Sequence, residues 1–199
     1  MARKAKHDDI KTIERAVALF WRQGYAATSL KDIETALDLG PGSIYARFGS
    51  KAGAYQAALI NYAEARREDF HAHIDAAPRI IDGIAAHVRS LAGICNIDQP
   101  SAACMLMKSM TEFNGTEPGL FETAADLLAE TEEMFAEALR AAQKFGEIDA
   151  DADPAFIAAN VQAQIMGIRA YAQKPNAEVT VARMVEGLAQ KIEALADSA

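Results

Sequence analysis

Apolar residues recur along this chain three, four and seven positions apart, which is the spacing of an amphipathic α-helix. No run of alternating β-branched residues occurs, and good helix formers such as Ala, Leu and Glu are plentiful. The first predicted helix runs from about Asp8 to Gly24. Its apolar face comprises Ile10, Ile13, Val17, Phe20 and Trp21. We therefore predict an all-α protein of about nine helices.

The predicted helices differ in length along the chain. Two short helices follow the first, at about residues 29–36 and 41–47, and a long fourth helix runs from Ser50 to just before Pro78. Five more are predicted at about residues 78–95, 101–114, 120–145, 154–173 and 177–196. Three short helices before a larger bundle suggest a small recognition module joined to a binding or assembly module.

The stretch from Gly24 to Lys51 predicts two helices joined by a tight turn. Thr28 or Ser29 can cap the first of these helices, and Asp32 three positions after Ser29 gives a capping-box pattern. Its apolar face comprises Leu30, Ile33 and Leu37. The four-residue turn Leu37–Gly40 has the length that a helix-turn-helix uses, and Asp38 tolerates a left-handed backbone there.

The second helix of the pair has the features of a DNA-reading element. Gly40 can cap it and Pro41 suits its first position. Small residues at Pro41, Gly42 and Ser43 would let its N-terminus approach base edges in a major groove. Ile44 and Phe48 would anchor the opposite side. Ser50 then caps the next helix, whose first N–H groups and Lys51 form a phosphate seat.

The net charge of −8 is distributed unevenly along the chain. Residues 1–60 hold nine Lys and Arg against six Asp and Glu, giving +3, and the other 139 hold eleven against twenty-two, giving −11. A basic head on an acidic body is compatible with DNA binding, because attraction to phosphates is local to the docking face.

Two cysteines and no long apolar segment favour a cytoplasmic protein that does not enter a membrane.

The head closely resembles the DNA-binding signature of the tetracycline-repressor family. Gly24-Tyr25, Thr28-Ser29, Ile33 and the stretch Tyr45–Lys51 match that signature in spacing and residue type. The resemblance implies a helix-turn-helix DNA-binding domain at residues 1–50 and a ligand-binding and dimerisation domain at residues 51–199. It implies a homodimeric transcriptional regulator, most simply a repressor released from double-stranded operator DNA by a small effector.

The resemblance also assigns roles to residues of the head. It implies phosphate contacts for Thr28, Lys31, Tyr45 and Lys51, and positions at or near the bases for Pro41, Gly42, Ser43 and Arg47. The sequence departs from the family pattern at Asp38, where Gly is usual, at Gly40, where Ser is usual, and at Arg47, where an aromatic residue or His is common. These departures bear on which operator is read. They do not alter the expected fold.

In the body the resemblance is to architecture, with two local echoes. Gly146-x-Ile148, followed by Asp153-Pro154 and Gly167, is similar to the family's entry into its last two helices. The stretch from Ala103 to Glu112 is similar to a pattern of some family members, with Lys108 in place of Asn. The last two helices carry apolar stripes that predict the dimer interface: Ile157, Val161, Ile165, Ile168, Val181, Met184, Val185, Leu188 and Ile192. The alternative is that both stripes pack within one subunit.

An effector cavity would be lined by helices five to seven, where flexible and aromatic apolar residues concentrate. The predicted lining comprises His87, Leu91, Cys104, Met105, Met107, Met110, Phe113, Phe121 and Phe135. This lining favours a mainly apolar effector. The alternative for each residue is plain core packing. Lys108, four residues after Cys104, raises the possibility of a reactive thiolate, against the alternative that Cys104 is a small buried apolar residue.

We expect no cofactor, no metal and no catalytic residue. Glu68 and His71 have the spacing of half a di-iron site, but no second copy of the motif occurs. Asp149–Asp153 begins like a calcium loop, yet Pro154 stands where Gly is needed, so capping by Asp153 is the better interpretation. The alternative function is an all-helical ligand carrier or enzyme that uses the body cavity.

Overall fold

A computed structural model describes the backbone of residues 2–95 and 100–198, and side chains within these ranges from Asp9 to Asp197. This part of the chain contains nine α-helices and no strand, as the hydrophobic pattern predicts. The helices are α1 Ala2–Gln23, α2 Leu30–Leu37, α3 Pro41–Phe48, α4 Lys51–Ala76, α5 Ile80–Ser90, α6 Met105–Phe113, α7 Pro118–Lys144, α8 Pro154–Tyr171 and α9 Glu178–Glu193. Short 3-10 helices follow α5 at Leu91–Cys95 and α9 at Ala194–Ser198.

Two predicted boundaries in the body differ from the structure. The fifth helix ends as an α-helix at Ser90 rather than Cys95, and α6 begins at Met105 rather than Ser101. Cys104 therefore precedes α6 instead of lying within it.

The N-terminus of α5 is capped by Glu147. Its carboxylate accepts hydrogen bonds from the Ile80 and Ile81 backbone N–H groups at 3.2 and 3.0 Å.

The chain divides into two compact units. The first comprises Met1–Glu64 and Met105–Leu127, and the second comprises Ala65–Cys104 and Leu128–Ala199. The first unit therefore includes α1, α2, α3 and the first part of α4, together with α6 and the start of α7. The domain boundary expected at residue 50 separates functions and stays a prediction, whereas the packing units divide elsewhere.

The first unit has an aromatic core that joins α1, α4 and α6. Phe20, Tyr25 and Phe113 each pack edge-on against the Tyr55 ring, with ring centroids 4.8 to 5.3 Å apart. The Tyr55 hydroxyl lies 2.8 Å from Ser109 Oγ, which satisfies both groups, and burial raises the pKa of Tyr55 to about 12. Ile10 was predicted to face inward, but it is 48% exposed.

The second unit is built on α5 and α9. Apolar residues from both helices are fully buried, among them Ile84, Val88, Val181 and Val185. At the edge of this contact the Arg89 guanidinium on α5 donates hydrogen bonds to carboxylates of Glu186 and Glu193 on α9. Asp153 caps α8, as predicted, by accepting from the Ala155 and Phe156 backbone N–H groups at 3.1 Å.

Candidate nucleic-acid interface

Helix α2 supports the pair, and its capping follows the sequence prediction. Ser29 Oγ accepts from the Asp32 backbone N–H at 3.1 Å, and Asp32 Oδ2 accepts from the Ser29 backbone N–H at 2.8 Å. The Ser29 hydroxyl, at 2.7 Å, and the Ser29 backbone N–H both donate to the Asp32 carboxylate, and these two bonds lower the pKa of Asp32. Ile33 and Leu37 are buried, but Leu30 is 37% exposed, which corrects its predicted place on the inner face. Leu30 is the first residue of α2, so little packs around it.

The turn and the start of α3 have the predicted backbone. Asp38 is left-handed at φ 55°, Gly40 is the extended N-cap, and Pro41 is the first helical residue. Ile44 is buried and anchors α3 to the head. Pro41, Gly42 and Ser43 are all exposed, and a Cβ atom built on Gly42 would meet nothing within 4 Å. The N-terminus of α3 is therefore an open, small-residue surface within its unit.

Two of the predicted phosphate ligands, Lys31 and Tyr45, lie on the surface of this pair. The Lys31 side chain is 82% exposed and pairs with Glu34 at 3.0 Å, and Tyr45 is 50% exposed. Surface ion pairs of this kind contribute about 0–1 kcal/mol, so Lys31 can exchange Glu34 for a phosphate at small cost.

Arg47 has a partner within the head that the sequence did not predict. Its guanidinium binds the Asp9 carboxylate and also donates to the Asp9 backbone carbonyl at 3.0 Å. The same group lies 5.4 Å from the Phe48 ring centroid. Arg47 must release Asp9 before it can reach a base.

The start of α4 is capped by Ser50 as predicted, and its role as a phosphate site stays a prediction. Ser50 Oγ accepts from the Gly53 backbone N–H at 3.0 Å, and Lys51 Nζ lies 4.2 Å from the Tyr25 ring centroid. The need for glycine at position 53 was not predicted from the sequence. A Cβ atom at this position would lie 2.0 Å from the Phe48 carbonyl oxygen, so only glycine permits the close approach of α3 and α4.

Thr28 does not have the predicted role. Its side chain is buried, and its hydroxyl donates to the Gly24 carbonyl at 2.6 Å. This bond closes the loop between α1 and α2, so the hydroxyl is not available to a phosphate. The prediction for Thr28 is corrected accordingly.

Helix α6 binds the loop after α1 through Glu112 and the last turn of α1 through Lys108. The Glu112 carboxylate accepts from the backbone N–H groups of Tyr25 and Ala26 at 3.1 and 2.6 Å, and Lys108 Nζ donates to the Trp21 carbonyl at 2.7 Å. Burial lowers the pKa of Lys108. The sequence pattern from Ala103 to Glu112 contained both residues but did not predict these contacts. The ammonium of Lys108 is therefore committed to a carbonyl rather than to Cys104.

The predicted effector residues divide between the two units. In the first unit Met105 and Phe113 are buried core residues, and Met107, Met110 and Phe121 are half-buried. In the second unit His87, Leu91 and Phe135 are buried, and Cys104 is half-buried. Two clefts in the second unit, of about 530 and 420 Å³, have none of these nine residues in their walls. Their grouping in one effector cavity stays a prediction.

Most predicted dimer residues face the core of their own unit. Val161, Ile168, Val181, Val185, Leu188 and Ile192 are buried within the single chain, which favours the alternative that the stripes pack within one subunit. This corrects the assignment for those six residues. Ile157 and Ile165 are half-exposed, and Met184 is 39% exposed. Met184 borders the 420 Å³ groove between α8 and α9, together with Gly167 and Gly187.

These features define a helix-turn-helix protein with a separate helical body. Comparison with known proteins gives the family. Residues 13–58 match the bacterial regulatory proteins of the tetR family, and residues 80–188 match the tetracyclin repressor-like C-terminal domain. The chain therefore belongs to the tetR family and is a DNA-binding transcription regulator.

Individual relatives agree with this assignment. The chain is 24% identical over 157 residues to the HTH-type transcriptional repressor ComR of Escherichia coli, covering 78% of this chain and 75% of ComR. A tetR-family regulator from Cytophaga hutchinsonii has the same fold, with a TM-score of 0.80 and 20% identity over 98% of this chain and 97% of that one. CifR, solved as a cysteine mutant with 26-bp double-strand operator DNA, gives a TM-score of 0.77 at 24% identity, covering 90% and 94%. Among the described residues, no helix combines the length and apolar content needed to cross a bilayer.

Proposed function

We propose that this regulator reads its operator by inserting the N-terminus of α3 into a major groove. The observation that carries the proposal is the exposed surface of Pro41, Gly42 and Ser43, held in place by the buried Ile44. An α-helix fits a major groove, and small residues at its tip allow a close approach. CifR, which has the same fold, was solved with operator DNA.

The side chains of the head suggest a division of roles. Lys31, Tyr45 and Lys51 would bind phosphates, which fix the position of the head without reading sequence. Ser43 would contact bases directly. Arg47 would contact bases after it exchanges Asp9 for DNA, so its contribution depends on breaking an existing contact.

We propose that the functional unit is a homodimer that forms through the outward surfaces of α8 and α9. The support is the groove of about 420 Å³ beside Gly167, Met184 and Gly187, where small residues permit close helix approach. One short recognition helix reads few bases, so a second half-site gives useful specificity. The interface would use exposed residues such as Met184 rather than the buried stripe.

We further propose that the protein is a cytoplasmic repressor and that a small, mainly apolar effector releases it from DNA. ComR, a relative over most of the chain, is named a repressor. The support within the chain is α6, where Glu112 binds the α1–α2 loop and Lys108 binds the end of α1. Movement of α6 would disturb the support of the recognition helix. Coupling of this kind between two sites is what defines an allosteric regulator.

The salt dependence of DNA binding tests the DNA-binding role against a carrier or an enzyme. A dimer with Lys31 and Lys51 on phosphates in each head neutralises at least four charges, so the slope of log K against log salt is about −3.6. Affinity should then fall about 150-fold between 50 and 200 mM salt. Lys51→Ala should reduce the slope by about 1.8, whereas the exposed Lys144→Ala should leave it unchanged. A parent protein with no salt dependence would contradict the proposal.

A further inference from the structure

Three metal-ligating side chains converge in the second unit. Asp69 and His73 lie one turn apart on α4, and His87 faces them from α5. One carboxylate oxygen and one ring nitrogen from each histidine lie within 4.8 Å of one another. The sequence spacing instead pointed to Glu68 with His71, and the structure shows that His71 is exposed.

The His87 ring is buried, and its Nδ1 atom has no hydrogen-bond partner in the part of the chain that the structure describes. The residue is 7% exposed, and its ring packs against the Phe70 and Phe135 rings, with centroids 5.2 and 6.0 Å away. Its Nδ1 atom lies 3.2 Å from Asp69 Oδ2, but the contact lacks hydrogen-bond geometry and Nδ1 makes no hydrogen bond among the described residues. Buried polar atoms are normally satisfied, so this nitrogen indicates a missing partner.

A cation between these two atoms would supply that partner. At the metal–ligand distances typical of Zn²⁺ with nitrogen and oxygen, two ligand atoms of a tetrahedral site lie about 3.3 Å apart. The distance of 3.2 Å between His87 Nδ1 and Asp69 Oδ2 already matches this ligand–ligand separation. The widest separation, 4.8 Å, is about 1.5 Å longer than this spacing, so binding of an ion would have to draw the three side chains closer together.

His73 is already oriented by the backbone of its own helix. Its Nδ1 atom lies 2.7 Å from the Asp69 carbonyl oxygen, and because a carbonyl only accepts, Nδ1 carries the proton. The lone pair is then on Nε2. Metal-binding histidines commonly donate their second nitrogen to a backbone carbonyl in this way, which fixes the tautomer.

Of the three side chains, His73 borders the larger cleft of the second unit. His73 forms part of the wall of the 530 Å³ cleft, with Asp82, Arg89 and Glu193 among its other lining residues. The group has one carboxylate and two imidazoles, and the positive charges of Arg66 and Arg169 also act on His87. Such a low negative charge disfavours Ca²⁺ and Mg²⁺, which need several oxygen ligands, whereas imidazole suits first-row transition ions.

We propose that Asp69, His73 and His87 bind one first-row divalent transition ion, with Zn²⁺ as the representative case. The remaining coordination position is open to water or a small ligand from the cleft. This site goes beyond the proposed function and does not depend on DNA binding. Bound metal would join α4 to α5 in the second unit.

The test is Co²⁺ and Zn²⁺ binding to the untagged, chelator-treated full chain. We expect one Co²⁺ per chain with visible d–d bands, displaced by Zn²⁺, and a higher melting temperature with Zn²⁺. His73→Gln and Asp69→Asn should each weaken Zn²⁺ binding by at least about 10-fold, the lower limit seen on loss of a supporting partner.

His71→Gln is the matched control, since it removes a histidine from the same helix but outside the group, and its affinity should equal that of the parent. Circular dichroism of His73→Gln and Asp69→Asn establishes that these half-exposed substitutions leave the helices folded. The proposal fails if binding does not saturate at one ion per chain, or if His73→Gln and His71→Gln bind Zn²⁺ equally.

Discussion

Replacing Glu112 by glutamine tests the link between α6 and the DNA-binding head. The Glu112 carboxylate accepts from two backbone N–H groups, of Tyr25 at 3.1 Å and Ala26 at 2.6 Å. An amide of the same shape keeps one acceptor but presents an NH₂ group to the other N–H, so one bond and the charge are lost. Tyr25 and Ala26 belong to the loop that positions α2.

The size of the effect follows from the exposure of these bonds. A hydrogen bond to a charged group contributes about 1.5–3 kcal/mol, and because the Ala26 contact is exposed we expect a cost of about 1.5–2 kcal/mol. For a chain of 199 residues this cost lowers the melting temperature by about 3–8 °C. Operator binding should weaken as well, because α2 supports α3.

The assay is thermal unfolding at one fixed protein concentration, followed by DNA binding of the same samples. Fixed concentration matters because assembly stabilises the folded state. Glu122→Gln is the matched control, since Glu122 is an exposed glutamate in the same unit. If Glu112→Gln and Glu122→Gln have the same melting temperature and bind DNA equally, the contact of Glu112 with Tyr25 and Ala26 does not stabilise the DNA-binding head.

Three further outcomes follow from the structure. Met184→Glu should dissociate the dimer in sedimentation while the more exposed Val179→Glu does not, and a dimeric Met184→Glu protein would place the interface elsewhere. Cys104 and Cys95 should both alkylate slowly. Burial raises the pKa of Cys95, and Lys108, which was expected to activate Cys104, donates to the Trp21 carbonyl instead. Fast, selective labelling of Cys104 would contradict this expectation. Ser29→Ala should lower the free energy of unfolding by about 0.5–2 kcal/mol in a denaturant titration, and an unchanged midpoint would contradict the capping role.

The head could be predicted closely because its determinants are local. The capping box at Ser29, the left-handed Asp38 and the Gly40–Pro41 helix start each depend on residues a few positions apart. Such short-range rules can be read directly from sequence. The partners of Arg47 and Glu112 could not, because Asp9 is 38 positions from Arg47 and Tyr25 is 87 positions from Glu112.

The body shows the limit of periodicity. The stripe containing Val181, Val185 and Leu188 is apolar, but periodicity does not say whether a stripe faces its own subunit or another copy. The structure buries these residues within the chain. Likewise, Phe113 belongs to the aromatic core of the first unit, although its residue type also suits a ligand cavity.

The central claim is that α3 reads the operator, and selection from a random double-stranded DNA library tests it most directly. The parent protein should enrich one two-fold symmetric sequence, with half-sites about one helical turn apart. Ser43→Ala should alter the enriched sequence, whereas Tyr45→Phe combined with Lys51→Ala should enrich the same sequence more weakly. No enrichment by the parent, or one unchanged sequence of equal affinity for all three proteins, would contradict the account.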